Sequence, residues 1–209
     1  MELESVKRSI IAEEMLLNEI EKVMKESGKD KILVAIDGRC ASGKTTLAGK
    51  LAERCESVLQ VDHVHVIHMD DFFLRPEQRT RERLSEPGGN VDRERVLEEV
   101  LIPIAEGRSC TFRPFDCRIQ GLKAPILIEP GRITIVEGAY SCHPLLREFY
   151  DLKIFMDVEP EEQMRRIRIR NGEEGAEHFR TRWIPLEERY FTELHVREAC
   201  DICGEAEQI

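Results

Sequence analysis

The residue pattern with the clearest chemical meaning is the loop at residues 38–45, GRCASGKT. It has the form G-x-x-x-x-G-K-[ST], in which glycines let successive backbone N–H groups converge on one phosphate group. The lysine adds a mobile positive charge for the outer phosphates, and the threonine hydroxyl can bind Mg²⁺. We therefore predict a nucleoside triphosphate site formed by Gly38, Ala41, Ser42, Gly43, Lys44, Thr45 and Thr46.

Acidic residues follow two other strand-like segments. Asp70 and Asp71 come after the alternating run at residues 61–68, and Glu137 comes after the apolar run at residues 133–136. Open α/β sheets bind ligands at the carboxyl ends of their parallel strands, so these carboxylates are expected beside the phosphate loop. An acidic residue placed there is the usual partner of magnesium, and the sequence predicts Thr45 and Glu137 as metal ligands.

The segments around the loop have the patterns of a strand and a helix. Residues 32–36, ILVAI, form an apolar run typical of a buried parallel strand. After the loop, Leu47, Ala48, Leu51 and Ala52 share one helical face. Further strands are predicted near residues 61–68, 111–118, 133–136 and 152–156, so the expected class is α/β.

Besides a helix that begins at Glu161, three helices are predicted outside the phosphate loop. Apolar residues recur at helical spacing over residues 3–25, which predicts an amphipathic helix, within residues 1–30, packed on a domain of residues 31–209. A second helix is expected from about residue 93 to 105, with Asp92 either as its N-cap or pointing into the site. A last helix is expected from about residue 185 to 200.

Several charged and metal-binding residue types have two interpretations. Residues 74–90 carry four arginines and are either a solvated face or a segment that closes over a substrate. For the arginines at residues 165–170 we favour a phosphate-binding role over a solvated face. We interpret His63, His65 and His68 as the outer face of an edge strand, and Cys200 and Cys203 as a pair at a helix end.

Length and composition limit the function. A chain of 209 residues with 34% charged residues is expected to form a soluble α/β domain, and its net charge of −10 argues against nucleic-acid binding. No apolar run has the length of a membrane span, and the acidic N-terminus does not look like a secretory signal. Seven cysteines without such a signal suggest reduced thiols and a cytoplasmic protein. The oligomeric state stays open, a homo-oligomer included.

Taken together, these motifs resemble the uridine kinase and phosphoribulokinase branch of the phosphate-loop kinases, which also includes bacterial pantothenate kinases. The resemblance covers most of residues 32–170. It is carried by the loop at residues 38–45, Asp70-Asp71-Phe72-Phe73, Asn90-Val91-Asp92, Pro114-Phe115-Asp116, Ile135-Val136-Glu137-Gly138 and, more loosely, the arginines at residues 165–170.

The resemblance implies a three-layer P-loop fold with a mainly parallel sheet, and a small arginine-bearing lid at about residues 165–183. It also implies ATP and Mg²⁺ as cofactors and a small-molecule hydroxyl acceptor as partner, without nucleic acid or membrane. Asp70 would be the general base, and Arg166 and Arg170, with Lys44, would neutralise the transferring phosphoryl group. The acceptor would be bound by Asp70, Phe73, Asp92, Phe115, Asp116 and Arg118.

Departures from the family pattern affect the acceptor more than the reaction. Phe73 and Phe115 replace tyrosines, and Arg118 and Gln120 stand where uridine kinases carry a pyrimidine-reading histidine. We expect a kinase, with a nucleoside such as uridine or cytidine as the acceptor and pantothenate or a sugar phosphate as alternatives. A non-kinase ATP-binding regulator or ATPase is a further alternative, and so is a catalytically silent scaffold.

Overall fold

The computed structural model describes residues 10–206, and its central feature is a six-stranded sheet in which all neighbouring strands are parallel. From one edge to the other the strands are β1 (Ile10–Ile11), β10 (Ile202–Ala206), β9 (Leu152–Asp157), β2 (Ile32–Gly38), β8 (Ile133–Glu137) and β3 (Val64–His68). Outside this sheet, β4 (Cys110–Phe112) pairs antiparallel with β7 (Ile126–Ile128), and β5 (Phe115–Asp116) with β6 (Gly121–Leu122). The predicted mainly parallel sheet is confirmed.

The strand β2 lies at the centre of the sheet and is buried on both faces. Leu33 and Ala35 belong to one hydrophobic cluster, whereas Val34 and Ile36 belong to the other. Side chains alternate along a strand, so each face of β2 needs its own covering layer. The predicted three-layer α/β architecture is therefore confirmed.

Helices cover both faces of the sheet. Two of them, α1 (Glu13–Ser27) and α2 (Lys44–Val58), pack in the cluster that contains Val34. The other helical elements are α3 (Arg81–Leu84), α4 (Arg93–Arg95), a π-helical segment (Val96–Leu101), α5 (Ile102–Ala105), α6 (Pro160–His178), a second π-helical segment (Phe179–Trp183), α7 (Ile184–Glu193) and three short 3₁₀ helices (Met69–Phe72, Pro76–Gln78 and Arg147–Phe149). Within the described range, no helix is both long and apolar enough to cross a membrane.

The N-terminal helix begins later than its sequence pattern predicts. Its first turn starts at Glu13, and the preceding residues Ile10–Ile11 form β1, which pairs with β10. Ile11 is buried at this edge of the sheet, and β-branched residues of this kind favour a strand. Residues 3–9 of the predicted helix lie outside the described residues. The division of the chain at residue 30 stays a prediction.

Two other boundaries differ from the prediction. The last helix, expected to reach residue 200, ends at Glu193 and is followed by turns in which His195 has a positive φ of 50°. The helix expected over residues 93–105 is present, but its middle turn is π-helical. The histidine-rich strand is an edge strand, as predicted, and it begins at Val64.

Candidate active site

The phosphate loop joins the end of β2 to the start of α2. Its first residue, Gly38, has φ of 127°, and a Cβ there would lie 2.0 Å from the carbonyl oxygen of Met156 in the neighbouring strand. Only glycine fits this position. The Lys44 ammonium group donates to the carbonyl oxygens of Gly38 (2.8 Å) and Arg39 (2.7 Å), so the lysine lies folded along the loop. The predicted strand, loop and helix are all present.

Polar residues from α6 and α7 hold the outer side of this loop. The Glu187 carboxylate accepts from the backbone N–H of Cys40 (2.9 Å), and the Gln163 amide donates to the carbonyl oxygen of Cys40 (3.0 Å). The Arg166 guanidinium donates to the carbonyl oxygen of Ala41 (3.1 Å). Glu187 and Gln163 are buried, and these contacts fix the loop against the last helices of the chain.

A second buried carboxylate, directly before the first glycine of the loop, connects the loop to other elements by hydrogen bonds. Asp37 is fully buried and accepts from the Tyr190 hydroxyl (2.8 Å) and from the backbone N–H groups of Tyr140 (3.2 Å) and Cys142 (2.7 Å). Burial raises the pKa of Asp37, although these hydrogen bonds oppose the shift. The loop after β8 and the helix α7 are therefore tied to the same residue that precedes Gly38.

The two predicted metal ligands face each other. The Thr45 hydroxyl donates to Oε1 of Glu137 (3.0 Å), and Nδ1 of His68 lies 2.5 Å from the same oxygen. Glu137 is buried, and its hydrogen bond raises the pKa of His68. One hydroxyl and one carboxylate are the protein oxygens that Mg²⁺ uses beside a nucleotide, so this pair fits the ion.

The proposed base, Asp70, lies in the 3₁₀ turn that follows the edge strand β3. Its side chain opens into a cavity whose walls partly enclose it. This enclosure, together with the nearby Glu137 carboxylate, raises the pKa of Asp70, whereas Lys44 opposes the shift. The backbone brings the groups close, because a Cβ at Gly138 would lie 2.7 Å from Cβ of Met69. Asp70 and Glu137 therefore share one electrostatic environment.

One cavity of about 980 Å³ joins these groups. The phosphate loop and Glu137 line its middle, and its lining also includes Arg166 and Arg170 from α6. On the Asp70 side, further lining residues are Phe73, Asn90, Tyr140 and Trp183. The rings of Phe73 and Trp183 lie 6.3 Å apart between centroids, so they form an aromatic wall next to the proposed base.

The two lid arginines of α6 both reach the cavity, by different contacts. Arg166 also donates to Glu162 (2.7 Å), and together with Arg165 it lowers the pKa of that carboxyl to about 2. The Arg170 guanidinium lies 5.5 Å from the ring centroid of Phe179. The helix is kinked at Gly172. Whether residues 165–183 act as a lid stays a prediction.

Four predicted acceptor residues do not line this cavity. The Asp92 side chain caps α4 by accepting from the N–H of Arg95 (3.3 Å), and it also accepts from the Gln78 amide (2.7 Å). Asp116 accepts from the Arg118 guanidinium (2.9 Å), which lowers the pKa of Asp116. Phe115 is buried, with the guanidinium of Arg79 over its ring.

The structure adds site residues that the sequence analysis did not identify, namely Asp37, Asn90, Tyr140, Gln163, Trp183 and Glu187. They come from different elements, and no local spacing connects them. The clearest signal in the sequence was Glu187, because it occupies the apolar seam of a helix where an acidic residue needs a buried partner.

Comparison with known proteins identifies the family of this chain. A sequence model of the "Phosphoribulokinase / Uridine kinase family" matches residues 33–173, more than half of the chain. A uridine kinase of Clostridium perfringens is 27% identical over 149 residues, which cover 68% of this chain and 69% of that protein. A uridine kinase of Brevibacillus brevis is 25% identical over 150 residues, which cover 68% of this chain and 67% of that protein.

Solved structures share the fold. A candidate fructose transport system kinase from Silicibacter sp. TM1040 has a TM-score of 0.72 at 19% identity, covering 95% of this chain and 100% of that chain. A possible uridine kinase from Bacillus stearothermophilus has a TM-score of 0.66 at 18% identity, covering 91% and 100%. From the match over residues 33–173, the chain belongs to the phosphoribulokinase and uridine kinase family and is a phosphotransferase that acts on a hydroxyl acceptor.

Proposed function

We propose that this protein transfers the γ-phosphoryl group of ATP to a hydroxyl group of a small molecule, with a nucleoside such as uridine or cytidine as the favoured acceptor. One observation carries the proposal. Asp70 opens into the same cavity as the phosphate loop, where Lys44 and Glu137 both influence its pKa. Asp70 follows β3, whereas Glu137, the proposed metal ligand, ends β8. Asp70 would therefore be placed to contact the hydroxyl group of an acceptor and not the metal ion.

The phosphates of ATP would lie on the N–H groups of the loop, at the start of α2. Lys44 now donates to two loop carbonyl oxygens, and its ammonium group is free to exchange these partners for phosphate oxygens. Arg166 and Arg170 line the same cavity and would offset the charge that develops on the transferring group. Catalysis would rest mainly on the positioning of the reacting groups and on neutralisation of the phosphate charge.

The reaction needs one proton acceptor. Asp70 would take the proton of the acceptor hydroxyl while that oxygen forms a bond to the γ-phosphorus, and the bond from this phosphorus to the bridging oxygen of ADP breaks. Because desolvation in the cavity and the Glu137 carboxylate raise the pKa of Asp70, it is a stronger base than an aspartate with the ordinary pKa.

Thr45 and Glu137 would hold Mg²⁺. When bound, the ion neutralises charge on the phosphate oxygens. The Thr45 hydroxyl oxygen and Oε1 of Glu137 lie 3.0 Å apart and are joined by a hydrogen bond. The contact of His68 with Oε1 keeps the Glu137 carboxylate oriented.

The nature of the acceptor rests on two opposing arguments. The relatives named uridine kinase, from Clostridium perfringens and Brevibacillus brevis, favour a nucleoside. In contrast, Asp92 and Asp116, which the resemblance assigns to binding of the acceptor, are engaged by other protein groups and do not line the cavity. A sugar or another small alcohol, bound against Phe73 and Trp183, is therefore the second candidate.

The test is a panel of acceptors with ATP and Mg²⁺, in which ADP release and the phosphorylated product are both measured. Uridine, cytidine, fructose, a sugar phosphate and pantothenate are compared with a reaction that lacks an acceptor. We expect acceptor-dependent ADP release with a nucleoside. ADP release that is equally fast without any acceptor would contradict a kinase and favour an ATPase.

The background control is Lys44→Ala, which removes the lysine of the phosphate loop. We expect this variant to weaken both ATP binding and turnover, and a rate of ADP release equal to that of the wild type would point to a contaminating enzyme. A phosphorylated sugar in the absence of any phosphorylated nucleoside would retain the kinase and replace the favoured acceptor by the second candidate.

A further inference from the structure

The cavity extends past the phosphate loop on the side away from Asp70. The sheet order places β1 at one edge and β3 at the other, with β2 and its loop between them. Asp70 follows β3, whereas Ile11 is the last residue of β1, and both line the cavity. If the acceptor occupies the Asp70 end, the opposite end is left for the rest of the phosphate donor.

The walls of this opposite end come from two elements. Ile11 and Glu13 lie at the junction of β1 and α1, and Thr46, Leu47 and Lys50 lie on the first turns of α2. Ile11 and Leu47 are apolar and almost fully buried. An apolar wall with a few polar groups is the usual surface for a flat ring.

One ion pair stands at this end of the cavity. The Lys50 ammonium group lies 2.6 Å from Oε1 of Glu13, and both side chains keep about a third of their surface exposed, 38% and 32%. Lys50 lies six residues after Lys44, a rise of about 9 Å along the helix. The pair is therefore displaced along α2 from the phosphate-binding end of this helix.

We propose that Ile11, Glu13 and Lys50 form the subsite for the base of the phosphate donor, and that the ion pair reads the edge of adenine. The exocyclic amino group of adenine would donate to the Glu13 carboxylate, and the Lys50 ammonium group would donate to an adjacent ring nitrogen. This inference rests on the part of the proposed function that names ATP as the phosphate donor. It does not depend on the identity of the acceptor.

Part of the subsite is an addition to the family core, because Ile11 and Glu13 lie outside it and Lys50 lies inside it. Both β1 and α1 precede residues 33–173, the segment that the family model matches. The phosphate loop lies inside that segment, whereas Ile11 and Glu13 lie outside it. Recognition of the base would thus depend in part on a segment of the chain that the family match does not include.

The test compares two ligands that share phosphates and differ in the base. Binding of Mg²⁺–ATP and of Mg²⁺–tripolyphosphate to the full chain is measured by titration calorimetry. Glu13→Ala and Lys50→Met are each expected to weaken ATP binding about tenfold, because each removes one charged hydrogen bond. Binding of tripolyphosphate should change less than twofold. Glu13→Gln should keep most of the ATP affinity, since its amide oxygen can still accept.

The matched control is Glu19→Gln, which alters an exposed ion pair with Lys22 on the same helix α1. It should leave both affinities unchanged. If Glu13→Ala keeps the wild-type ratio of ATP to tripolyphosphate affinity, the ion pair only anchors α1 to α2 and the inference is overturned. If the wild type binds tripolyphosphate as tightly as ATP, there is no base subsite, and the phosphate site still stands. If the wild type binds neither ligand, the proposed function fails with it.

Discussion

The substitution Asp70→Asn tests the centre of the proposed mechanism. It keeps the size and shape of the side chain, and it removes the negative charge together with the ability to take a proton. Asp70 makes no hydrogen bond to the phosphate loop, and its pKa is set by burial and by the charges of Glu137, Lys44, Asp71 and His68. The change should therefore act on the chemical step and leave the ATP-binding groups in place.

The size of the effect follows from the role. Loss of a positioned general base lowers turnover by about 10² to 10⁴, which corresponds to about 2.7 to 5.4 kcal/mol in the activation free energy. The dissociation constant of ATP should change by less than about threefold, or fall slightly, because one negative charge leaves a cavity that receives phosphates.

The same substitution should affect stability in the opposite direction. The folded protein holds the pKa of Asp70 above its ordinary value of 3.8, so ionised Asp70 costs free energy in the folded state. This cost is absent below pH 3.8 and is complete once the pH exceeds the raised pKa. Asn carries no such cost, so the free energy of unfolding at pH 7 should be equal to or greater than that of the wild type.

The assays are kcat from acceptor-dependent ADP release, ATP affinity from calorimetry and unfolding in urea at pH 7. The neighbouring Asp71→Asn is the matched control, because Asp71 is also a carboxylate with a raised pKa but does not line the cavity. Turnover of Asp70→Asn within threefold of the wild type would refute the assignment of the base. A large loss of turnover in the Asp71 variant as well would show that charge near the loop, and not proton transfer, matters.

Three other predictions concern single contacts in the site. Glu137→Gln should raise the Mg²⁺ concentration needed for half-maximal rate by at least about tenfold, since one ligand charge is lost; an unchanged Mg²⁺ titration would contradict the metal assignment. Trp183→Ala should raise the KM of the acceptor about tenfold with little change for ATP, because it removes half of the aromatic wall beside Phe73, and Trp183→Phe should recover most of the loss. Tyr190→Phe leaves the fully buried Asp37 without its hydroxyl donor, so urea unfolding should show a loss of about 1 to 3 kcal/mol, and a variant as stable as the wild type would mean that this hydrogen bond contributes nothing.

The sequence was sufficient for the phosphate loop and for the strands that carry it. These features depend on neighbours in the chain, because the glycines, the apolar run of β2 and the helical face of α2 lie within one short segment. Glu137 was predicted for a similar reason, since the end of a buried strand determines where its next side chain lies. Its distance of 3.0 Å from the Thr45 hydroxyl agrees with that prediction.

The acceptor end was harder to predict, because its residues come together only when distant elements pack. Trp183 meets Phe73 across more than a hundred residues, and no spacing in the sequence connects them. The resemblance suggested Asp116 as a ligand of the acceptor, yet Arg118 follows two residues later and binds it. A local partner of opposite charge competes with any ligand, and a motif alone does not show this competition.

The pairing of β1 with β10 has a consequence for how the protein is made. Ile10 lies beside Glu205 and Ile11 beside Ala206, so the first described strand pairs with the last. During synthesis, β1 leaves the ribosome long before β10, and this edge of the sheet can close only after residues 202–206 have emerged. Contacts of such long sequence separation form late. We therefore expect nascent chains that stop short of residue 202 to keep this edge open.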